Sequence, residues 1–271
     1  MNRIVQVALV ATLLAYAAYS AASFKQREQR WANQILDSQM IGESVWLKVK
    51  ADKFLALYNP AAKPKGGVIL MHDAGLNPDW PDVISPLRRE LPEHGWTTLS
   101  LQMPLLPQNA PLTAFGPIMD ETPQRIRAGI EFMRGKGIRR IVLIGHDMGA
   151  AMGTVFLASE PKHGVAGFVG IAMNAPVLSG TLNTLDPRLY TPNALAKLTL
   201  PILDIYGGQD AKTVTGSAPE RLAAAEKAGN KDYEQEQIPE ANHYFMNHDQ
   251  ALVERVAKWL ERFEGRPEKP Q

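Results

Sequence analysis

One short segment, from Ile141 to Gly149, constrains the fold of this chain more than any other. An apolar, β-branched run ends in Gly-His-Asp-Met-Gly and continues directly into a stretch rich in alanine. The pattern predicts a buried strand, a sharp turn and a helix, with Asp147 at the apex of the turn. Glycines on both sides of the apex allow the backbone to reverse closely.

The rest of the chain alternates between short apolar runs and amphipathic segments. Val45–Leu57 is predicted to form a hairpin. The other predicted strands are Gly66–Met71, Trp96–Leu101, Arg139–Ile144, Val165–Ala172, Pro201–Tyr206 and Tyr233–Ile238. The predicted helices are Val83–His94, Thr122–Gly135, Ser217–Gly229 and Gln250–Phe263. Pro104–Pro123 is predicted to be a proline-rich loop, and Asn174–Leu200 a long connection. This alternation predicts an α/β fold, a mainly parallel sheet with helices on both faces, and no second domain.

Composition and motifs narrow the classes of function. A net charge of +1 gives no basic surface for nucleic acid, so we expect no nucleic-acid partner. The absence of cysteine excludes a thiolate zinc site and a Cys nucleophile. We predict no cofactor and no metal, and a small molecule of unknown identity as substrate or ligand. An oxygen–nitrogen metal site built from His72, Asp73, Asp147 and His243 is an alternative that the spacing does not require.

The N-terminus carries a separate signal. Ile4–Ser23 is an apolar run with positive charge on both sides, at Arg3 and at Lys25–Arg30. About 20 apolar residues suffice to span a bilayer, and the same run has the features of a signal peptide. We therefore predict that residues 1–23 direct export or form an anchor. The protein would then be periplasmic, secreted or attached to the inner membrane, with cleavage and retention both open. A linker helix over 24–43, a domain over 44–264 and a polar tail over 265–271 complete the predicted organisation.

Three motifs in chain order resemble those of the α/β-hydrolase superfamily. The turn at Asp147 resembles the nucleophile elbow, and Asp210 and His243 follow where the superfamily has its acid and its histidine. A narrower resemblance, to the bacterial domain-of-unknown-function family 3530, rests on the segments His72-Asp73-Ala74-Gly75, Pro78-Asp79-Trp80-Pro81 and Gly95–Pro104. That family is assigned to the α/β-hydrolases without an established substrate. The resemblance covers about Ser44 to Phe263 and implies one α/β-hydrolase domain without a large cap.

The elbow carries Asp where the superfamily usually has Ser. In this respect it resembles the elbow of epoxide hydrolases and haloalkane dehalogenases. In those enzymes the Asp carboxylate attacks carbon, and a water activated by His hydrolyses the resulting ester. Two features differ from those families: Met148 stands where they usually have Trp or another specialised residue, and Asn174–Leu200 is too short for their helical cap.

Each candidate catalytic residue has a structural alternative. Asp147 precedes a helix, so its carboxylate either attacks a substrate or caps the helix. Asp210 follows a strand and either orients His243 or stabilises a turn. Asp204, inside that strand, is an alternative acid. His146 is expected to pack inside the fold rather than to take part in the site.

The loop after the first predicted parallel strand corresponds, in the resemblance, to the loop that supplies an oxyanion hole. The backbone N–H groups of Ala74, Gly75 and Met148 are the predicted donors to an oxyanion or substrate, with His72 beside them. The negative charge of Asp73 would be unfavourable at such a place. A tight turn stabilised by Asp73 is therefore the alternative interpretation of this loop.

These observations predict a cell-envelope hydrolase that acts on an ester-type or related substrate. Asp147 would attack, His243 would activate water, and Asp210 would orient His243. The alternative is a non-catalytic relative that uses the same cleft, or its surface, to bind a partner in the cell envelope. A third possibility, with Ser100 as the nucleophile, lacks an elbow around that residue. The sequence does not distinguish the first two interpretations.

Overall fold

The computed structural model describes residues 25–38, 41–107, 110–175 and 186–265. Its strands are β1 (Glu43–Val49), β2 (Asp52–Asn59), β3 (Gly66–Met71), β4 (Trp96–Leu101), β5 (Ile141–His146), β6 (Gly167–Ile171), β7 (Ile202–Gly207) and β8 (Tyr233–Ile238). They form one sheet in the order β1-β2-β4-β3-β5-β6-β7-β8. The pairs β1–β2 and β2–β4 are antiparallel, and the other pairs are parallel.

Helices cover both faces of this sheet. Residues 25–36 are helical and are called α1. The others are α2 (Ile84–Glu90), α3 (Gly116–Gly135), α4 (Met148–Ser159), α5 (Thr191–Leu195), α6 (Lys212–Thr215), α7 (Ala218–Lys227) and α8 (Asp249–Leu260). Short 3₁₀ turns lie at Leu91–His94, Leu112–Phe115, Pro187–Leu189 and Glu261–Phe263. The described residues contain no inserted cap domain, and the predicted fold class is confirmed.

The central strands are apolar because they are buried on both faces. Within β5, Leu143 belongs to the core cluster that includes α3 and α4, whereas Val142 and Ile144 belong to the cluster that includes α2 and α8. Successive side chains of a strand point to opposite faces, so a continuous apolar run serves two cores at once. This burial fixes the end of β5, from which the elbow starts.

The predicted loop Pro104–Pro123 and the predicted start of the following helix at Thr122 are wrong. Helix α3 begins at Gly116, and Pro123 lies inside it. An interior proline removes one helix hydrogen bond and costs about 3 kcal/mol. Ile118 and Met119, in the turn before the proline, are buried in the core, and this burial offsets the cost.

Helix α1, predicted as a linker or tether, packs on the domain. Its Ala32 and Ile35 form a buried cluster with Leu55 and Leu57 of β2. The described residues include no helix that is long and apolar enough to cross a membrane. The run Ile4–Ser23, which is predicted to direct export, lies outside the described residues.

Candidate active site

The turn between β5 and α4 holds Asp147 in a strained backbone conformation, with φ of 44° and ψ of −106°. This region is unfavourable for a residue with a side chain. The glycines around it are required sterically: a Cβ on Gly149 would lie 2.1 Å from the Met71 carbonyl oxygen, and one on Gly145 would lie 2.4 Å from the Gly149 carbonyl oxygen. The tight approach of β3, β5 and α4 therefore presents Asp147 above the sheet.

The structure brings Asp147, Asp210 and His243 together at the carboxyl ends of the strands, where open α/β sheets bind ligands. Asp210 follows β7 and His243 follows β8. The Nδ1 atom of His243 lies 2.9 Å from Asp210 Oδ1, and its Nε2 atom lies 3.5 Å from Asp147 Oδ2. One imidazole thus joins two carboxylates, in the arrangement that the order of the three motifs predicts.

The carboxylate of Asp147 does not cap helix α4. Although Asp147 occupies the N-cap position, its side chain accepts no hydrogen bond from the helix backbone. A capping Asp would bond to the N–H groups of the first helical turn. The structure therefore favours the interpretation in which this carboxylate faces His243.

Asp73 occupies the place where the sequence predicts an oxyanion hole. Its Oδ1 atom accepts the backbone N–H of Ala74 at 2.5 Å and that of Met148 at 3.3 Å. Two of the predicted donors are thus in position but already bonded to a carboxyl group of the same chain. Gly75, the third, has φ of +77°, and its carbonyl oxygen accepts a hydrogen bond from Arg27 at 3.0 Å.

Asp73 and Asp147 lie close enough to repel each other. Burial, followed by the negative charge of Asp147, raises the pKa of Asp73 to about 7, although the two backbone N–H groups oppose this rise. One ligand atom each from Asp73, Asp147 and His243 lie within 4.8 Å of one another, so these three residues are the set able to hold a metal ion in the described chain. His72, included in the alternative metal set from the sequence, is not among them.

The proton on His243 is held by its two carboxylate neighbours. Burial alone would lower the pKa of this imidazole, but the hydrogen bonds and charges of Asp147 and Asp210 raise it to about 10. His243 is therefore protonated at neutral pH in the resting site. The result is a charged chain of carboxylate, imidazolium and carboxylate, with one positive group between two negative ones.

His72 has a structural role, contrary to the prediction that it contributes to oxyanion or substrate binding. Its Nδ1 lies 2.7 Å from the Asp73 carbonyl oxygen, and its Nε2 accepts the N–H of Met103 at 2.9 Å. Both ring nitrogens are thus used by the backbone, and burial lowers its pKa to about 4. His72 keeps the Asp73 loop against the end of β4.

His146 also has a supporting position, as expected. It is fully buried, its Nε2 lies 3.0 Å from the His243 carbonyl oxygen, and burial lowers its pKa to about 4. The alternative candidates lie elsewhere. Asp204 forms a fully buried ion pair with Arg221, and Ser100 is fully buried within β4. Neither is part of the site.

The sequence did not predict that Asp73 would fill the oxyanion position. The available signal was its place directly after β3, beside the elbow in the sheet order. Polar residues at that end of a parallel strand meet the residues that follow its neighbours. Spacing did not reveal which way the Asp73 side chain would turn, because that depends on the backbone N–H of Met148.

Comparison with solved structures shows which proteins share the fold. The chain is similar to Est1E from Butyrivibrio proteoclasticus (15% identity, TM-score 0.62, covering 81% of this chain and 98% of that one). It is similar to dienelactone hydrolase from Anabaena variabilis (19% identity, TM-score 0.64, 84% and 100% covered) and to an esterase of Pyrococcus furiosus (14% identity, TM-score 0.64, 81% and 91% covered). At these identities the likeness shows the fold, which is that of the α/β-hydrolases.

A match to a family model is more specific than the shared fold. The model of the family described as "Protein of unknown function (DUF3530)" matches residues 14–121 and 118–262. The chain belongs to this family, as its loop motifs predicted. No curated protein matches the chain.

Proposed function

We propose that this protein is a hydrolase of the cell envelope in which Asp147 attacks the substrate and becomes esterified. One observation carries the proposal: the uncapped Asp147 carboxylate lies 3.5 Å from His243 Nε2, while Asp210 holds the other ring nitrogen at 2.9 Å. This is the order of nucleophile, base and orienting acid that a two-step hydrolase needs. The hydrolase-type fold supports the same reading.

The first step is displacement at a saturated carbon. A carboxylate oxygen of Asp147 forms a bond to this carbon, the bond from the carbon to its leaving group breaks, and the leaving group takes the electron pair. Attack on a carbonyl would instead create an oxyanion, and the N–H groups of Ala74 and Met148 are already bonded to Asp73. A displacement at saturated carbon needs no such donors, so the resting geometry is compatible with it.

The second step is hydrolysis of the ester on Asp147. Esterification removes the negative charge that helps to keep His243 protonated, so the pKa of His243 falls from about 10 once the first step is complete. His243 then releases its proton to the first leaving group or to solvent and accepts one from water, whose oxygen attacks the ester carbonyl. The bond from the acyl carbon to the alkyl oxygen breaks, the alcohol leaves with the proton from His243, and the Asp147 carboxylate is restored. Of the two N–H groups, that of Met148 is the more easily freed for the oxyanion, because its contact with Asp73 is 3.3 Å long whereas that of Ala74 is 2.5 Å.

The experiment traps the ester. The full-length protein and its His243→Ala variant are incubated with epoxide, haloalkane, lactone and ester substrates, and the peptide that contains Asp147 is weighed by mass spectrometry. We expect a mass increase that persists in His243→Ala and is absent from Asp147→Asn. His248→Ala, which changes a histidine outside the site, is the matched control and should behave like the wild type. Full activity in Asp147→Asn would refute the proposal.

A second candidate function is supported by Asp73. A carboxyl group in the oxyanion position and a protonated His243 describe a site that is closed to acyl transfer at rest. A non-catalytic relative that binds a ligand or partner in the cell envelope would keep its function with such a site. Absence of any adduct in His243→Ala across the four substrate classes would favour this candidate.

The cellular location is also a proposal, based on Ile4–Ser23. We propose that this run directs the domain across the inner membrane, either as a cleaved signal peptide or as an anchor. Fractionation of cells that make the full chain should place it in the periplasm or in the membrane fraction. Recovery of the uncleaved chain from the cytosol would contradict the location and leave the proposed chemistry standing.

A further inference from the structure

Helix α1 forms one wall of a cavity beside the candidate active site. The cavity has a volume of about 560 Å³, and its other walls are the loops that follow β3 and β4. Small-molecule sites typically have volumes of about 300–1,000 Å³, so the size fits a small ligand. Ala74 lines this cavity and also donates its N–H to Asp73, so the cavity adjoins the site.

The wall contributed by α1 is fixed to the domain rather than loosely placed. Arg27 donates from Nη1 to the Leu106 carbonyl oxygen and from Nη2 to the Gly75 carbonyl oxygen, each at 3.0 Å. Glu28 forms a largely buried ion pair with Arg125 at 3.0 Å. These contacts join α1 to both of the loops that complete the cavity, so its shape is largely preformed.

The cavity wall offers hydrogen-bond donors and positive charge. Arg27 and Arg30 line it, and none of the described residues that line it is Asp or Glu. Trp31 and Trp80 also line it with their rings, while their Nε1 atoms are themselves buried. The two indole rings pack edge to face with centroids 6.1 Å apart, and Phe115 adds a further apolar surface.

We propose that this cavity is the substrate pocket and that it binds a small organic anion, a carboxylate attached to an aromatic or alkyl body. Guanidinium groups bind carboxylates by charge-assisted hydrogen bonds. The Trp and Phe rings cover the apolar body. As a statement about the substrate, this inference rests on the proposed function; as a statement about binding, it does not require turnover.

The test compares three probes of one shape and different charge: phenylbutyrate, phenylbutanol and phenylbutylamine. Binding to the full-length protein is measured by calorimetry, with quenching of tryptophan fluorescence as a second readout. We expect phenylbutyrate to bind at least about tenfold more tightly than the alcohol, and the amine to bind most weakly. Equal binding of all three probes would overturn the proposal.

Two pairs of variants locate the site. Arg30→Gln should weaken phenylbutyrate binding about tenfold, and Trp31→Phe, which reduces the aromatic surface of the cavity wall, about threefold. Arg139→Gln and Trp46→Phe change the same residue types away from the cavity and should have no effect. Equal losses of phenylbutyrate affinity in the cavity variants and in the control variants would also overturn the proposal, as would no loss in any of the four.

The outcomes distinguish this inference from the proposed function. Binding of phenylbutyrate that depends on Arg30, without any adduct on Asp147, would support the pocket and refute the hydrolase. An adduct on Asp147 together with no binding that depends on Arg30 would support the hydrolase and refute the pocket. Each proposal can therefore be refuted while the other stands.

Discussion

Two buried charge clusters of this protein differ in how well their negative groups are matched by positive ones. In the β7 network, defined here as Asp204, Arg221, Tyr233 and Gln235, one carboxylate accepts hydrogen bonds from a guanidinium at 2.7 Å, a phenol at 2.6 Å and an amide at 2.8 Å. Asp204 and Arg221 are both fully buried. One negative charge thus meets one positive charge, and the carboxylate is fully bonded.

The site cluster, defined as Asp73, Asp147, Asp210 and His243, has three carboxyl groups and one imidazole. The Oδ2 atom of Asp210 is buried and has no partner within the described residues. The pKa of Asp73 rises to about 7 and that of His243 to about 10, so protons partly offset the excess of negative charge. Perturbed groups of this kind concentrate at functional sites, whereas the balanced β7 network serves stability.

Loss of the single cation of the β7 network should strongly destabilise the fold. Arg221→Met leaves the Asp204 carboxylate buried without its cation and removes the donor to the Met173 carbonyl oxygen. Removal of one partner of a buried ion pair costs about 3–5 kcal/mol, which we expect as a loss in the free energy of unfolding in urea. Arg127→Met, in an exposed pair with Glu160, is the control and should cost less than about 1 kcal/mol. Similar losses in the two variants would contradict the comparison.

Removal of a charged group from the site cluster should have the opposite effect on stability. We expect Asp73→Asn to stabilise the fold. Asn keeps an oxygen for the N–H groups of Ala74 and Met148 but carries no charge. The pKa of Asp73 rises on folding from 3.8 to about 7, so the native state binds a proton that the unfolded state releases. The wild type therefore loses stability as the pH rises from 3.8 to about 7, and this penalty persists at higher pH.

The predicted fall in stability with rising pH can be measured in urea unfolding at several pH values. At about pH 8 we expect Asp73→Asn to exceed the wild type by about 4 kcal/mol in the free energy of unfolding, because each unit of the pKa difference corresponds to about 1.4 kcal/mol, whereas below about pH 4 the two should agree. Burial of His72 and His146 affects both proteins equally and cancels in the difference. Asp37→Asn, at an exposed position, is the control and should show no such divergence. A variant less stable than the wild type at about pH 8 would contradict the prediction.

Strand boundaries and the order of the site motifs could be predicted from the sequence. The strands β3, β4 and β8 begin and end at their predicted residues, because continuous apolar runs or turn residues limit them. The convergence of the elbow, Asp210 and His243 follows from chain order, since parallel strands align their carboxyl ends. These predictions depend on local pattern and on the direction of strands.

What the sequence could not predict depends on the orientation of individual side chains. Asp204 and Asp210 lie six positions apart and both were candidate acids; only the buried Arg221 beside Asp204 separates their roles. The Asp73 carboxyl group turns inward to two N–H groups of different segments, and α1 folds over the loops through Arg27. None of these contacts has a fixed spacing along the chain.

Loss of one neutral donor from the β7 network should destabilise the fold only moderately. Tyr233→Phe removes one of the three groups that bond to Asp204 Oδ2, while Arg221 and Gln235 keep theirs. A hydrogen bond to a charged group contributes about 1.5–3 kcal/mol, and the remaining donors reduce the loss to about 1–2 kcal/mol in the free energy of unfolding. Tyr190→Phe, which removes an exposed bond to Glu220, is the matched control and should cost less than about 0.5 kcal/mol. Neither variant should change ester formation on Asp147, because Asp204 does not contact the site. A selective loss of the adduct in Tyr233→Phe, without a loss of stability, would instead connect the β7 network to the chemistry.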